Sequence, residues 1–281
     1  MERVEQKTAG TYALSVATLD EDGEELTATA PATVTIRDGA GASVYSGSAT
    51  PTLGLLSADV PVAELEQLDV YFCTWTDAAH LEFHSYLELC GGHLFIIPDF
   101  RDWDTAFADK TKYPESKVRA ARVAGEARFE RAAHLAYVRR GRRLTAIGDG
   151  RARLRLCDNA VRTLLSASID AVALTGAELD EVAIREWGAL DRTGGRAWTK
   201  DAAIAVHYEH GLDYPPEPVV NAAMLLARDY LIRSPLSSRA VSEWTDVGFL
   251  RLATAGRERP TGIPEVDEVA REFGRDRPNI G

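Results

Sequence analysis

The stretch that decides the fold of the first half is ATVTIRDGAGASVYSG, residues 32–47. Val34 and Ile36 alternate with polar residues and run into Asp38 and Gly39, after which a second apolar pair follows. Alternation on both sides of a turn dipeptide is the pattern of a β-hairpin. The sequence therefore predicts two antiparallel strands here, each with one buried face.

The same pattern extends in both directions from this hairpin. Residues 69–75, DVYFCTW, and residues 80–89, HLEFHSYLEL, alternate in the same way, and Pro98 ends the run. About seven short strands with turn residues between them are typical of an immunoglobulin-like sandwich. We therefore predict an all-β sandwich over residues 1–98.

Residues 99–281 have a mixed pattern. Residues 99–113 predict a linker with one helical turn, and a long helix is expected to begin after Pro114 and to continue to Arg140. Small residues allow helices to approach closely, in a bundle or between subunits. The residues that share one face of this helix are mostly small: Val118, Ala121, Gly125, Phe129, Ala132 and Ala136.

Strands and helices follow in the rest of the chain. Residues 141–210 predict strands, with a hairpin turn at Gly194-Gly195, and a second helix is expected after Pro216. A strand pair is predicted around Gly248, and a last short helix is predicted to begin at Pro264. The predicted fold class is therefore multidomain: the N-terminal sandwich, a linker, and an α+β domain over residues 114–281 that is a helical bundle with a β insertion.

Composition limits the classes of function. The chain has 281 residues, 43 acidic and 32 basic side chains, and a net charge of −11, which argues against coating nucleic acid by phosphate neutralisation. Residues 1–98 carry 15 acids and only 3 bases, an asymmetry expected of two domains. No apolar run approaches the ~18 residues of a membrane span, and the first ten residues lack the apolar core of a secretory signal.

No catalytic motif is present, so neither an enzyme nor a cofactor is predicted. Two groups have metal-ligand residue types: His80, His84, Cys90 and His93, and His207, Glu209 and His210. The first group is too extended, because four residues of a strand span about 13 Å. The second is interpreted as a polar strand end, so no metal site is predicted. The cysteines are expected to be reduced thiols with packing roles: Cys73, Cys90 and Cys157.

An arginine run is the clearest charge feature. Seven arginines fall within 17 residues, and Asp149 is the only acid among them. They are Arg139, Arg140, Arg142, Arg143, Arg151, Arg153 and Arg155. One interpretation is contact with phosphates or an acidic partner surface. The other is a solvated helix end, where cations favour the negative end of the dipole. The sequence leaves both interpretations open.

The second half resembles a known family. AIAVHYEHGLDYPPEPVVNAAMLLARDYL, residues 203–231, and SRAVSEWTDVGFLRLATAGRERPTGIPEVDEVAREFGR, residues 238–275, are similar to the head-to-tail connector (adaptor) proteins of long-tailed double-stranded DNA bacteriophages, particularly those of actinobacterial hosts. GALDRTGGRAW, residues 188–198, is a weaker match. The helix from Glu115 fits the first bundle helix of that family. Residues 1–98 depart from its pattern.

The resemblance implies a structural protein of the virion neck, assembled in the host cytoplasm. Such subunits close into a ring of about twelve copies. The implied partners are further copies of the chain, the portal protein, a head-tail stopper or tail terminator protein, and genomic double-stranded DNA that passes through the lumen without sequence specificity. No membrane partner is implied.

Two further hypotheses come from the residues themselves. Tyr71, Trp75 and Tyr86 have the character of exposed aromatics, so an alternative function is a carbohydrate- or protein-binding module with a support domain. The tail after Gly274 is predicted to dock on the portal. Its docking residues would be Arg275, Arg277 and Ile280.

Overall fold

The computed structural model describes residues 2–20, 22–232, 242–245, 248–251 and 260–275. The strands are β1 (Glu2–Glu5), β2 (Thr11–Ala17), β3 (Ala32–Arg37), β4 (Ser43–Thr52), β5 (Leu55–Pro61), β6 (Val70–Thr76), β7 (Glu82–Cys90), β8 (Arg140–Ile147), β9 (Arg153–Arg155), β10 (Val161–Ile169), β11 (Val172–Ala173), β12 (Val182–Arg185), β13 (Ala189–Arg192), β14 (Ala203–His210), β15 (Ser242–Thr245) and β16 (Gly248–Arg251). The helices are α1 (Ile97–Trp103), α2 (Glu115–Ala133), α3 (Gly176–Asp180), α4 (Glu217–Leu231) and α5 (Pro264–Phe273).

One large curled sheet runs through both halves of the chain. Its strand order is β11-β10-β14-β8-β7-β6-β3-β4-β5-β2, and β1 pairs with β7 in parallel while the other pairs are antiparallel. The hairpin predicted from residues 32–47 is confirmed as β3 and β4. β4 pairs with β3 and then, through residues 50–52, with β5, so the sheet bends around its own apolar side.

The first core fills that bend. Alternate residues of β3 and β6 point into it, so Val34, Ile36 and Trp75 are fully buried. Every buried residue of this core lies between Tyr12 and Leu89. Residues 1–98 therefore close a core of their own, although the sheet continues beyond them through the pair of Cys90 with Arg140.

The second core lies under the strands that follow α2. β14 pairs with β8 on one side and β10 on the other, and the predicted face of Ile204, Val206 and Tyr208 is buried. A smaller sheet, β12-β13-β9, packs beside it.

The turn predicted at Gly194-Gly195 is present, with both glycines at positive φ, but it does not connect a strand pair, so the predicted hairpin is wrong. β13 pairs with β12 through a turn at Trp187 and Gly188, both at positive φ, and with β9. The segment after Gly195 is irregular because it carries Trp198 into the core, where the indole N–H donates to the Leu190 carbonyl.

The third core is helical. α2, α4 and α5 pack together, and the small stripe of α2 faces α4 within the same chain. A Cβ on Gly125 would lie 2.9 Å from the backbone nitrogen of Ala227 and 3.0 Å from the carbonyl oxygen of Ala223. Glycine is therefore required for this close approach of two helix backbones.

Helix α2 is shorter than the sequence predicts. It ends at Ala133 because His134 adopts the left-handed conformation, φ 52°. The residues that follow leave the helix to place Leu135, Tyr137 and Val138 in the helical core. The expectation of a helix to Arg140 is therefore wrong.

Residues 99–113 are more ordered than a linker with one helical turn. α1 reaches Trp103, and Phe100, Phe107 and Tyr113 are buried in the helical core. The rings of Phe100 and Phe107 stack with centroids 4.9 Å apart. This segment therefore fixes the path between the two halves.

The chain is thus mostly β, with a large curled sheet and helices packed beside it. The strand pair predicted around Gly248 is present as β15 and β16. Pro264 begins α5, and Gly274 follows it in an extended conformation. Among the described residues, no helix combines the length and apolarity that a membrane crossing requires.

Candidate functional site

The arginine run does not lie at a helix end: three of its seven members are on strand β8 and two are on β9. α2 ends at Ala133, so the interpretation of these cations as partners of its dipole is wrong. β8 begins at Arg140, beside β7 and the first core. This position brings the arginines next to acidic residues that are distant in sequence.

Strand β8 uses its arginines in ion pairs. Arg143 donates from Nε to Asp69 at 2.8 Å and from Nη2 to Asp38 at 2.9 Å. Arg142 donates to Asp158 at 2.7 Å. The Arg143 contacts join β8 to residues 38 and 69 and so hold the two halves of the chain together, whereas the Arg142 contact joins β8 to the loop before β10.

Four other arginines of the run, which exclude the buried Arg140, lie further out. Arg139 is 3.9 Å from Asp213, Arg153 binds Asp191 through two hydrogen bonds of 2.7 and 2.8 Å, and Arg155 is exposed. Arg151 is the most solvated, with 82% of its side chain exposed. A partner could reach Arg151, Arg153 and Arg155 without breaking the core, and their role in partner binding stays a prediction.

The predicted tail residues are only partly described. Arg275 stacks on Trp187, 5.7 Å from the ring centroid, and its backbone N–H donates to the Ala133 carbonyl at 2.8 Å. Arg277 and Ile280 lie outside the described residues.

A buried ion network lies where β1, β7, β8 and α2 meet. Its members are Arg3, Glu88, Glu126, Glu130 and Arg140. Arg3 is 2.8 Å from Glu88, 3.0 Å from Glu126 and 3.6 Å from Glu130, and it is almost fully buried. Arg140 donates to Glu130 at 3.1 Å. Apart from Arg140, this network has no signal in the sequence, because its members come from four separate elements.

Burial and charge act in opposite directions on the two helical carboxylates. Burial opposes the charge on Glu126, but hydrogen bonding to His93 and the charge of Arg3 lower its pKa below the ordinary value. Burial raises the pKa of Glu130, although Arg140 and Arg3 act against that change. Glu126 also accepts the backbone N–H of Leu94 at 2.8 Å, which fixes the chain as it leaves β7.

A cavity of about 630 Å³ adjoins this network. Its lining includes Glu88, Glu130 and Arg140 of the network, together with Asp158 and His210. Within it Arg140 pairs with Glu88 and Glu130, which suits a structural joint between the halves.

The histidines do not converge on a metal site. His80 and His84 are exposed, whereas Cys90 donates its S–H to backbone carbonyls and His93 belongs to the Glu126 contact. In the described part of the chain, no three His, Cys, Asp or Glu side chains are placed to hold a metal ion.

The second histidine group is buried and not a solvated strand end. His207 lies 3.3 Å from the Leu68 carbonyl and 4.0 Å from Asp69, and His210 faces Asp158. Burial lowers the pKa of both rings, so both favour the neutral form. The expectation of an exposed polar end is wrong because β8 and β10 flank β14 while residues 65–69 cover it.

The cysteines are free thiols in two environments. Cys73 and Cys90 are buried, and burial raises the pKa of Cys73 to about 11, as expected for packing residues. Cys157 is exposed, so its predicted packing role is wrong. It follows Leu156, which takes the core position on that segment.

A second cleft, here called the aromatic cleft, opens on the solvent face of the large sheet, at strands β6, β7 and β8. Its volume is about 610 Å³. Its functional side chains are Asp38, Asp69, Phe72, Tyr86, Arg142 and Arg143. Phe72 was not among the predicted site residues, although its alternation with the buried Tyr71 and Cys73 of β6 is the sequence signal that places it on the outer face.

Two of the three aromatics expected at the surface are buried instead. Tyr71 and Trp75 point into the first core, and only Tyr86 is exposed.

No family model matches this chain, and no curated protein matches it.

Proposed function

We propose that this chain is the subunit of a head-to-tail connector ring between the portal and the tail. The observation that carries the proposal is the fold of the residues that resemble that family. Residues 203–231 form a strand, a turn and a helix, β14 and α4, and α5 packs back on α4 and α2. A helical bundle beside a β insertion is the arrangement that the resemblance implies.

The contacts between the two halves of the chain support a rigid structural subunit. Three features connect residues 1–98 to the rest of the chain. They are the ion pairs of Arg143 with Asp38 and Asp69, the buried ion network, and the packed segment 99–113. A subunit of this kind moves as one body when DNA passes or a tail attaches. In the proposed ring about twelve copies surround a lumen for genomic DNA, with portal on one side and stopper or tail terminator on the other.

We place residues 1–98 on the outside of the ring. Their 15 acids and 3 bases repel one another less when they are spread over an outer circumference than around a lumen. The alternative, a binding module with a support domain, loses two of the three aromatics that motivated it, since Tyr71 and Trp75 are core residues.

The test is the mass of the full-length particle. We expect native mass spectrometry and electron microscopy of the purified chain to show a closed ring of about twelve subunits, or a monomer that forms such a ring on portal particles encoded by the same genome. A chain that stays monomeric both alone and with that portal contradicts the proposal.

A further inference from the structure

The aromatic cleft has the size and position of a ligand site. It lies where the β3–β4 loop, the start of β6 and strand β8 meet, and its volume of about 610 Å³ is within the range of small-molecule sites. Gly39 makes the meeting possible, because a Cβ there would lie 2.8 Å from an Asp69 carboxylate oxygen. The same geometry brings two aromatic side chains, here called the aromatic wall, next to a set of charged side chains, here called the polar rim. The wall is Phe72 and Tyr86, and the rim is Asp38, Asp69, Arg142 and Arg143.

The aromatic wall is held in place by neighbouring rings. Phe72 and Tyr86 are direct cross-strand partners with ring centroids 5.2 Å apart. Phe72 also stacks on His84 at 5.2 Å, with an angle of 28° between the rings. Tyr86 is 54% exposed, so one face of a positioned ring is open to solvent. An aromatic ring fixed in this way can stack on a flat apolar surface at little entropic cost.

The polar rim offers donors and acceptors side by side. Arg143 is engaged by Asp38 and Asp69, which fixes all three groups. Arg142 uses one nitrogen for Asp158, half of its side chain is exposed, and within the described residues its other guanidinium N–H groups have no acceptor. Carboxylate oxygens and guanidinium donors therefore face the cleft together.

The charge balance selects the class of ligand. Two arginines face Asp38, Asp69 and Asp158, so an anion meets carboxylates and a cation must compete with guanidinium groups. A hydroxyl group suits this rim, because it accepts from arginine and donates to aspartate.

We propose that the aromatic cleft binds a neutral pyranose sugar, with the apolar face of the ring on Tyr86 and its hydroxyl groups on Arg142 and Asp38. The proposal does not rest on the connector function, since the site is formed by β6, β7, β8 and the β3–β4 loop of a single chain. A ring subunit with this site would carry sugar-binding pockets around its circumference.

The experiment is saturation-transfer NMR on the full-length chain with the methyl glycosides of glucose, galactose, mannose and N-acetylglucosamine as probes. Uridine and inorganic phosphate are run in parallel. We expect at least one glycoside to receive saturation at millimolar concentration, most strongly at its ring C–H protons. Tyr86→Ala should weaken its binding about tenfold, while Tyr86→Phe retains it.

The matched control is Tyr214→Ala, which removes a tyrosine that is 85% exposed outside the cleft and should leave binding unchanged. Circular dichroism checks that each variant keeps the wild-type fold. The proposal is overturned if no glycoside binds, if Tyr86→Ala binds as well as the wild type, or if only uridine or phosphate binds. None of these results depends on whether the chain forms rings.

Discussion

At the residue scale, Gly125 tests the contact between α2 and α4. Gly125→Ala places a methyl group about 3 Å from the α4 backbone, which neither helix can avoid without moving. We expect a loss of about 1–3 kcal/mol in the free energy of unfolding, measured by urea denaturation. The matched control is Gly176→Ala, whose new Cβ would have nothing within 4 Å. Equal stabilities of the two variants would contradict the close contact.

The buried histidines predict a pH dependence. The pKa of His207 is lowered by burial and by Arg143, and the pKa of His210 is lowered by burial. An unfolded histidine takes up its proton near pH 6.5, whereas the folded rings resist it. The free energy of unfolding should therefore fall as the pH drops below 6.5, by at most about 1.4 kcal/mol per pH unit for each ring.

The measurement compares urea denaturation at pH 7.5 and 5.5 for the wild type, His207→Gln and His210→Gln. Each variant should lose part of the pH dependence. The difference between proteins isolates the histidines from Glu130, whose raised pKa acts in the opposite direction. An exposed-histidine variant, His84→Gln, should behave as the wild type. A wild-type slope in both buried variants would show that the rings titrate freely.

At the element scale, β1 is held by a charge that the sequence pattern does not reveal. Arg3→Met removes a cation that pairs with three buried carboxylates, Glu88, Glu126 and Glu130. We expect a loss of about 3–5 kcal/mol in the free energy of unfolding. Arg151→Met is the control and should change stability by less than about 0.5 kcal/mol, because Arg151 is solvated. A small effect of Arg3→Met would show that the buried ion pairs of Arg3 do not hold β1 in place.

Elements with a strong local signal could be predicted from the sequence. The β3–β4 hairpin, the buried face of β14 and the proline-initiated helices α2, α4 and α5 all follow from alternation, helical spacing or first-turn residues. The end of α2 could not be predicted, because it depends on the packing of Leu135 and Tyr137 in the helical core, which is a tertiary contact. Strand β1 could not either, since its one buried residue is the charged Arg3 and its one apolar residue, Val4, is only half-buried, so it carries no periodic apolar signal.

The site shows the same division. Phe72 could have been placed on the outer face, because it alternates with Tyr71 and Cys73, which are buried. Tyr71 and Trp75 were expected at the surface because they are aromatic. The alternation of side chains between the two faces of a strand places both of them on the buried face of β6. The ion pairs of β8 could not be predicted, since Arg143 and its partner Asp38 are 105 residues apart in the chain.

At the scale of the whole molecule, residues 1–98 are predicted to fold alone. Their core is complete between Tyr12 and Leu89, although Arg3 and Glu88 would lose their partners on α2 and β8. We expect residues 1–98 to give a β-type circular dichroism spectrum and a cooperative thermal transition below that of the full chain. The absence of a cooperative transition would mean that the two halves fold only together.

The last prediction concerns how the molecule attaches to its proposed partner. Under the connector proposal, the end of the chain docks on the portal: Arg277 pairs with a carboxylate, Ile280 is an apolar anchor, and Pro278 reduces the entropy lost on ordering. Truncation after Arg275 preserves the stacking of Arg275 on Trp187, so the rest of the fold should be unaffected. We expect the truncated chain to have an unchanged melting temperature but at least tenfold weaker attachment to portal-bearing capsids in a co-sedimentation assay. Full-length chain with Lys110→Ala serves as the control for loss of one surface cation, because Lys110 is exposed and belongs to none of the predicted partner-binding residues. Attachment of the truncated chain at the full-length level would show that the tail is dispensable, while loss of attachment by the control as well would assign the contact to general charge.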